Sequence, residues 1–460
     1  MTTSHANVRQ LLRGKARDLA HLVRTRRVSS VEVTRATFEA IAELNSKYGA
    51  FVELDRRRAL RAAHVADERI ARGGELPSFL GVPTGIKDHE HMRGMHTRVG
   101  SRALTWVLWP LDGVLVQSCR DGGFVLCGKL ATSELAILPY VDTAIHPPAL
   151  NPLDTSRYAG GSSGGPAAAV ASGMLSIAPG SDGAGSTRIP ASFCGLVGWK
   201  ASRHVVYNEH RKIDPIGLAS NGPIAHDVRD AALLLDVLAG RPMHSERARE
   251  DSFIAACERA PKKLRIRFCV NSWIAPVDPE IQSAVRRTAK LLEEMGHDVD
   301  EGPTLEAAVD DFLPLMSRLI AGIPLPKIGD RFTEPVTRWL RAQGRRVSDE
   351  TMWETKLKFE TKVFKWFGDA DVWLMPTTPS FAPKVGSFAG LEPEALFHAA
   401  APSGSLTAPF NASGQPAVTL PAGRASHGLP IGVQLIGRVG ADHSLFGLAA
   451  TLEAALGASA

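Results

Sequence analysis

The sequence predicts an α/β fold, a single domain with a mixed central β-sheet covered by helices on both faces. Three observations carry this reading. Short apolar strand-like runs alternate with helix-length amphipathic runs along the chain. Residues 263–300 read as one β-α-β unit. The composition, 44% hydrophobic and 22% charged over 460 residues, is that of a globular chain long enough to bury a large core. Strands interleaved with helices in this way form sheets whose faces are both covered.

Taken in order, residues 16–45 carry two helices. Leu19, Leu22 and Val23 keep helical spacing, so the basic residues around them belong to an amphipathic helix rather than to a transit peptide. The second helix opens on Ser29-x-x-Glu32, a capping box, and places Val33, Ala36, Ala40, Ile41 and Leu44 on one face. A third covers roughly 56–72 and stops at Gly73-Gly74. Leu80–Lys87 reads as a short buried strand. Gly113–Leu130 reads as a helix, with a strand at Phe124–Cys127. The run 230–240 is a strong helix ending at Gly240, and the polar stretch 241–262 reads as a surface excursion. Lys263–Val270 is a strand. Asp278 as N-cap, Pro279 in the first turn and Gly296 past the end delimit the next helix, followed by a short strand at His297–Asp300. Residues 305–365 look mostly helical. Strands are expected at Asp371–Met375, Pro416–Leu420 and Ile431–Ile436.

Charge and composition exclude several function classes. Fifty-three Lys and Arg against 48 Asp and Glu leave a net charge of +5 with no clustered basic stripe, so no nucleic-acid partner is expected. No run of 18 apolar residues is present, so no membrane span is expected, and the N-terminus lacks the apolar core of a signal peptide. The five cysteines are odd in number and form no C-x-x-C pair, which points to reduced thiols in a cytoplasm-like compartment.

The chemistry concentrates in residues 158–200. Two glycine clusters bracket serines there: Gly160–Gly165, leading into an Ala-rich helix, and Gly180–Ser186, following an apolar strand. Glycines let backbone N–H groups converge on one point, which suits a phosphate or a developing oxyanion. The phosphate reading fails, because neither cluster has the Walker lysine or an acidic ribose partner at the right offset. A flexible Gly/Ser linker would not be flanked by apolar strand and helix segments. Acyl transfer needs a nucleophile, a base and an oxyanion site. No G-x-S-x-G elbow occurs, and no histidine is singled out as a base. Lys87, delivered at the end of an apolar segment, is another candidate, since burial favours the neutral amine. His89, His91 and His96 form an H-x-H-x4-H pattern without a cysteine or carboxylate at ligand spacing, so no metal is expected.

These pieces together resemble the amidase signature family. Its G-G-S-S-G-G motif, its G-[ST]-D-x-G-G-S-[IV]-R-x-P-A motif and its upstream lysine motif read here as Gly160–Gly165, Gly180–Ala191 and Gly81–Asp88. Ser162 and Ser186 stand 24 positions apart, the family's spacing, and weaker echoes lie at 220–240, 416–423 and 429–438. The resemblance spans about residues 17–455 and implies one domain: N-terminal helices at about 1–75, a signature core at 76–240, a variable substrate-side region at 245–410, and C-terminal strands and a helix at 411–460.

The resemblance also implies a triad in which Ser186 is the nucleophile, Ser162 relays the proton next to a cis Gly161–Ser162 peptide, and Lys87 is the base. It implies an oxyanion hole made by the N–H groups of Gly183, Ala184, Gly185 and Ser186, loop support from Ser163, Asp182 and Arg188, and no cofactor. Ala184 replaces the family's usual glycine and would strain the loop if that position needed positive φ. An acyl pocket is expected at Leu138, Pro139 and Tyr140 and along the 305–365 helices. The expected partner is a small-molecule amide, with a homodimer possible. Three other readings are the glutamine-hydrolysing component of a tRNA-dependent amidotransferase, acyl transfer to an amine, and a scaffold that binds an acyl compound without turnover. The first lacks its usual Tyr-Gly-Arg-type stretch, where Ser202–Asn208 stands instead.

Overall fold

The computed structural model describes residues 5–210, 212–240, 251–259, 261–326 and 328–458. Its centre is an eight-stranded mixed sheet whose strands lie side by side in the order Asp298–Glu301, Arg265–Phe268, Val372–Pro376, Pro430–Gly437, Ala417–Arg424, Val197–Lys200, Ser220–Ala225 and Ile177–Asp182. The first three run parallel, and every later pairing is antiparallel. The parallel part contains the β-α-β unit legible in the sequence: Arg265–Phe268, the helix Pro279–Glu294 and Asp298–Glu301, with Asp278 accepting from Glu280 N–H as N-cap.

Helices cover both faces of this sheet. Adjacent strand residues point to opposite sides, and the pair Gly198 and Trp199 makes this visible. A Cβ on Gly198 would stand 2.7 Å from Ala191 of the helix Arg188–Cys194. The Trp199 ring stacks at 3.4 Å on Phe446 of the C-terminal helix Asp442–Ala458. One continuous core runs from Leu12 and Leu19 through Val170, Ile224 and Leu235 to Leu452.

Near its Ile177–Asp182 edge the large sheet meets a second, three-stranded sheet of Phe51–Leu54, Val125–Leu130 and Pro83–Lys87. The predicted strand ending at Lys87 belongs to this smaller sheet. Thr84 Oγ1 donates to the Ile177 carbonyl at 2.9 Å and ties the two sheets together. That junction carries Lys87 toward the glycine loops.

Local signals place most boundaries. The Ser29 capping box forms with both of its bonds, 3.1 Å from Glu32 N–H to Ser29 Oγ and 2.8 Å from Ser29 N–H to Glu32 Oε2. Two expectations need correction. The helix expected over 113–130 covers only Val114–Asp121, because Gly122-Gly123 turns the chain into the strand Val125–Leu130. The surface excursion expected at 241–262 falls partly outside the described residues. The portion 252–257 instead packs inward, with Phe253 buried against Phe446 and its N–H bonded to Asp236. A short helix presenting Phe253 to the core outweighs the polar residues around it. No helix among the described residues is long and apolar enough to cross a membrane.

Candidate active site

Three chain segments converge where the sheets meet. The strand Pro83–Lys87 ends in a lysine that is 1% exposed. The first glycine loop carries Ser162 and Ser163 into the helix Gly164–Ala171, and the Gly161–Ser162 peptide is cis. The strand Ile177–Asp182 feeds the second loop, which carries Ser186 into the helix Arg188–Cys194. Lys87 Nζ lies 2.7 Å from Ser162 Oγ and 2.8 Å from Ser181 Oγ. Burial brings its pKa down to about 7, against the opposing pull of Asp182 and Glu90. The neighbouring Asp88 turns away and pairs with Lys129 at 3.0 Å. Among the described residues Lys87 therefore has no carboxylate in contact, and it is held between two hydroxyls.

Ser163 joins the two loops. Its Oγ donates to the Ser181 carbonyl at 3.2 Å, and its N–H donates to the Ser186 carbonyl at 3.3 Å. Asp182 and Arg188, both fully buried, form a two-pronged pair at 2.9 Å on each side. Burial pushes the Asp182 carboxyl up, but the Arg188 charge and hydrogen bonds outweigh it and hold the group well below the usual carboxylate range. Asp182 also accepts from the N–H groups of Gly185 and Thr187. Arg188 reaches further, to Asn411 Oδ1, the Thr407 carbonyl and Gln434 Oε1.

Two expectations about the oxyanion loop change. Gly185 is not a free donor, because its N–H donates to Asp182 Oδ1 at 2.7 Å. The N–H groups of Gly183, Ala184 and Ser186 donate to no protein group among the described residues and remain as the candidate donors. Ala184 does not adopt positive φ, so replacing glycine there carries no backbone strain. The left-handed position is Gly185, at φ +117, where a Cβ would stand 2.1 Å from Thr407 Oγ1.

Ser186 lies where two cavities meet. The smaller, about 90 Å³, is apolar and includes Leu138, Pro139, Ala184, Phe312 and Phe359 in its wall. The larger, about 600 Å³, is bounded by Ser162, Ser181, His89, His210, Asn221 and Leu319, among others. Tyr140 does not line either wall. Its ring is buried between Tyr158 and Phe388, at 4.9 and 4.7 Å. The backbone of 138–140 does press on the first glycine loop, since a Cβ on Gly161 would stand 2.5 Å from Tyr140 N. The three histidines of the H-x-H-x4-H pattern do not gather: His96 turns to Glu53 at 3.1 Å, while His91 stacks on Trp109. Sequence reasoning missed Ser181, Thr407, Asn411 and Gln434. Ser181 sits inside the second glycine motif and was within reach; the other three lie more than 200 residues from the loop they hold.

The fold is thus a mixed sheet wrapped in helices, and it sets a buried amine between serine hydroxyls beside a glycine-rich turn. The Amidase family profile matches residues 32–446, and the chain belongs to the amidase signature family. It is 32% identical over 95% of its length to a putative amidase of Synechocystis, covering 88% of that protein. It is 33% identical over 97% of its length to the A component of the glutamyl-tRNA(Gln) amidotransferase of Acidothermus cellulolyticus, covering 95% of it. Among solved structures it resembles 6-aminohexanoate cyclic dimer hydrolase, with TM-score 0.87, 28% identity and 97% of both chains covered. A bacterial aryl acylamidase of the same family superposes with TM-score 0.83 at 25% identity, covering 96% of both chains. The protein is thus a hydrolase of the amidase class.

Proposed function

We propose that the protein hydrolyses a linear carboxylic amide of a small molecule through an acyl-enzyme on Ser186. The observation that carries this reading is the placement of Lys87 Nζ between Ser162 Oγ and Ser181 Oγ in a buried site, with Ser186 at the junction of the two cavities. Neutral Lys87 accepts the Ser162 proton while donating to Ser181, which keeps its lone pair on Ser162. Ser162 in turn accepts the Ser186 proton as Ser186 Oγ attacks the amide carbonyl. The oxyanion is met by the N–H groups of Gly183, Ala184 and Ser186, each such donor being worth a factor of roughly 10²–10³ in rate. The proton returns through Ser162 to the leaving nitrogen as the C–N bond breaks. Water then attacks the ester on Ser186 by the same route in reverse and releases the acid. The apolar wall around Ser186 favours an uncharged hydrocarbon group beside the scissile bond. No cofactor takes part in this scheme.

A serine-reactive fluorophosphonate and a panel of amides, esters and carbamates test this against Ser186→Ala. Labelling and turnover should both vanish in the variant while the far-UV spectrum stays unchanged; a labelled, active variant would remove Ser186 from the mechanism. The second reading, glutamine hydrolysis as one component of a tRNA-dependent amidotransferase, is favoured by the relationship to such proteins. It requires partner chains, so glutamine turnover appearing only when those chains are added would select it. An amine that raises turnover and appears in the product would instead select acyl transfer.

A further inference from the structure

Glu90 follows the lysine-bearing strand, whereas Glu209 and His210 lie on the connection after Val197–Lys200. The fold brings one ligand-capable atom from each within 4.8 Å of the others. His210 Nε2 is 4.0 Å from Glu90 Oε2 and 3.9 Å from Glu209 Oε1. Each carboxylate is anchored through its other oxygen. Glu90 Oε1 accepts from Asn221 Nδ2 at 3.0 Å and faces His89 Nε2 at 3.2 Å, while Glu209 Oε2 accepts from Val114 N–H at 2.9 Å. The inward atoms Glu90 Oε2, Glu209 Oε1 and His210 Nε2 are buried and meet no N–H or hydroxyl donor among the described residues, and the Glu90 and Glu209 carboxyls lie within hydrogen-bonding reach of each other. Glu90 itself is 1% exposed. Buried polar atoms are normally satisfied, and two facing carboxylates with an imidazole aimed at the same point need either a shared proton or a cation between them.

No side-chain cation among the described residues fills that role. Lys129, a buried amine close by, is used by Asp88 and by the carbonyls of Glu90 and His96. The glycine at 113 leaves room for the arrangement, as a Cβ there would stand 2.5 Å from Glu209 Oε1. We propose that Glu90, Glu209 and His210 form a binding site for a divalent first-row metal ion such as Zn²⁺ on the wall of the larger cavity. Two carboxylate oxygens and one imidazole nitrogen are a donor set for such ions rather than for Ca²⁺, which takes six to eight oxygens. Bonds of about 2.0–2.2 Å require the ligand atoms to close inward by roughly half an ångström. Asn221, His89 and the Val114 N–H are positioning groups that orient the carboxylates. Because His210 and Asn221 face the same cavity as Ser186, the ion's open positions are available to water or to an oxygen of a bound substrate. The site shares no residue with the proposed triad and stands whether or not that reading holds.

The test uses tag-free full-length protein stripped with a chelator, titrated with Co²⁺ followed by visible absorption and with Zn²⁺ by calorimetry. One equivalent per chain should bind with a dissociation constant of about 1 µM or tighter, and a Co²⁺ absorption band should appear. Glu209→Gln and His210→Asn should each weaken binding by roughly 100-fold, and Asn221→Ala by about 10-fold. Ser186→Ala should bind as the wild type does. Melting curves establish that each variant is folded. Failure of the wild type to bind at about 100 µM metal, with the two carboxylates sharing a proton instead, overturns the proposal. So does binding that is unaffected by both ligand substitutions.

Discussion

Lys87 concentrates the residue-scale chemistry. In the proposed mechanism its neutral form is the reactive one, and burial brings its pKa down to about 7. Activity should therefore rise with pH through about 7 and level off above it, since deprotonation creates the base. In Lys87→Ala the rising limb should disappear and amide turnover should fall by roughly 10³-fold or more, with esters losing less because an alkoxide leaves without the returned proton. A pH–rate profile of kcat/KM for both proteins checks this; an unchanged profile in the variant would place the base elsewhere. In the same mechanism Ser181 is a positioning residue, touching Lys87 but lying outside the proton path. Ser181→Ala should keep measurable activity, shift the limb of the pH profile and lose less than Ser162→Ala does. Equal losses in the two variants would make Ser181 part of the relay.

The turn between the strand Ile177–Asp182 and the helix Arg188–Cys194 is the element that shapes the proposed oxyanion site. Gly185 and Ala184 make contrasting demands within it. Gly185→Ala would place a methyl group 2.1 Å from Thr407 Oγ1 at a backbone φ of +117, so the loop must move. We expect a loss of about 1–3 kcal/mol in stability and of at least ~10²-fold in kcat. Ala184→Gly relieves nothing, and its kcat should stay within about twofold of wild type, apart from a destabilisation of up to ~1 kcal/mol through the more flexible unfolded chain. Denaturant melts alongside steady-state kinetics separate the two effects. The glycine clusters were legible because their composition is unusual and their flanks are apolar. Which glycine carries the left-handed turn was not legible, since it depends on Thr407, a residue far along the chain.

The buried Asp182–Arg188 pair acts at the scale of the whole molecule, because Arg188 also binds Asn411, Gln434 and the Thr407 carbonyl. Removing the cation strands a buried carboxylate. Arg188→Met should cost about 3–5 kcal/mol, read from chemical denaturation. The acid side follows from the lowered Asp182 pKa: the folded state resists protonation of a group whose ordinary value is 3.8. Its stabilisation is complete above about pH 4 and is lost as pH falls below that value. Asp182→Asn should therefore flatten the acid limb of the stability curve as well as lower the plateau. An unchanged acid limb would assign that limb to other carboxylates.

Interactions between residues close in the chain were decided by the sequence alone. The Ser29–Glu32 box, the Asp278-Pro279 helix start, and the apolar strand leading into the second glycine motif depend on contacts within a few positions, where backbone propensity and capping dominate. The spacing of Ser162 and Ser186, and the motif around Lys87, were legible for the same reason: each is a short stretch whose composition has few other uses. Only the tertiary structure decided what those stretches meet. Lys87 reaches Ser162 across 75 positions because a small sheet abuts a large one, and Gly185 gives up its N–H because Arg188 aims Asp182 at it. Tyr140 turns into an aromatic stack instead of the cavity. Glu90 meets Glu209 and His210 over a gap of more than 100 residues. Such encounters are set by how whole elements pack, and side-chain pattern along one segment carries no record of the partner that packing brings to it.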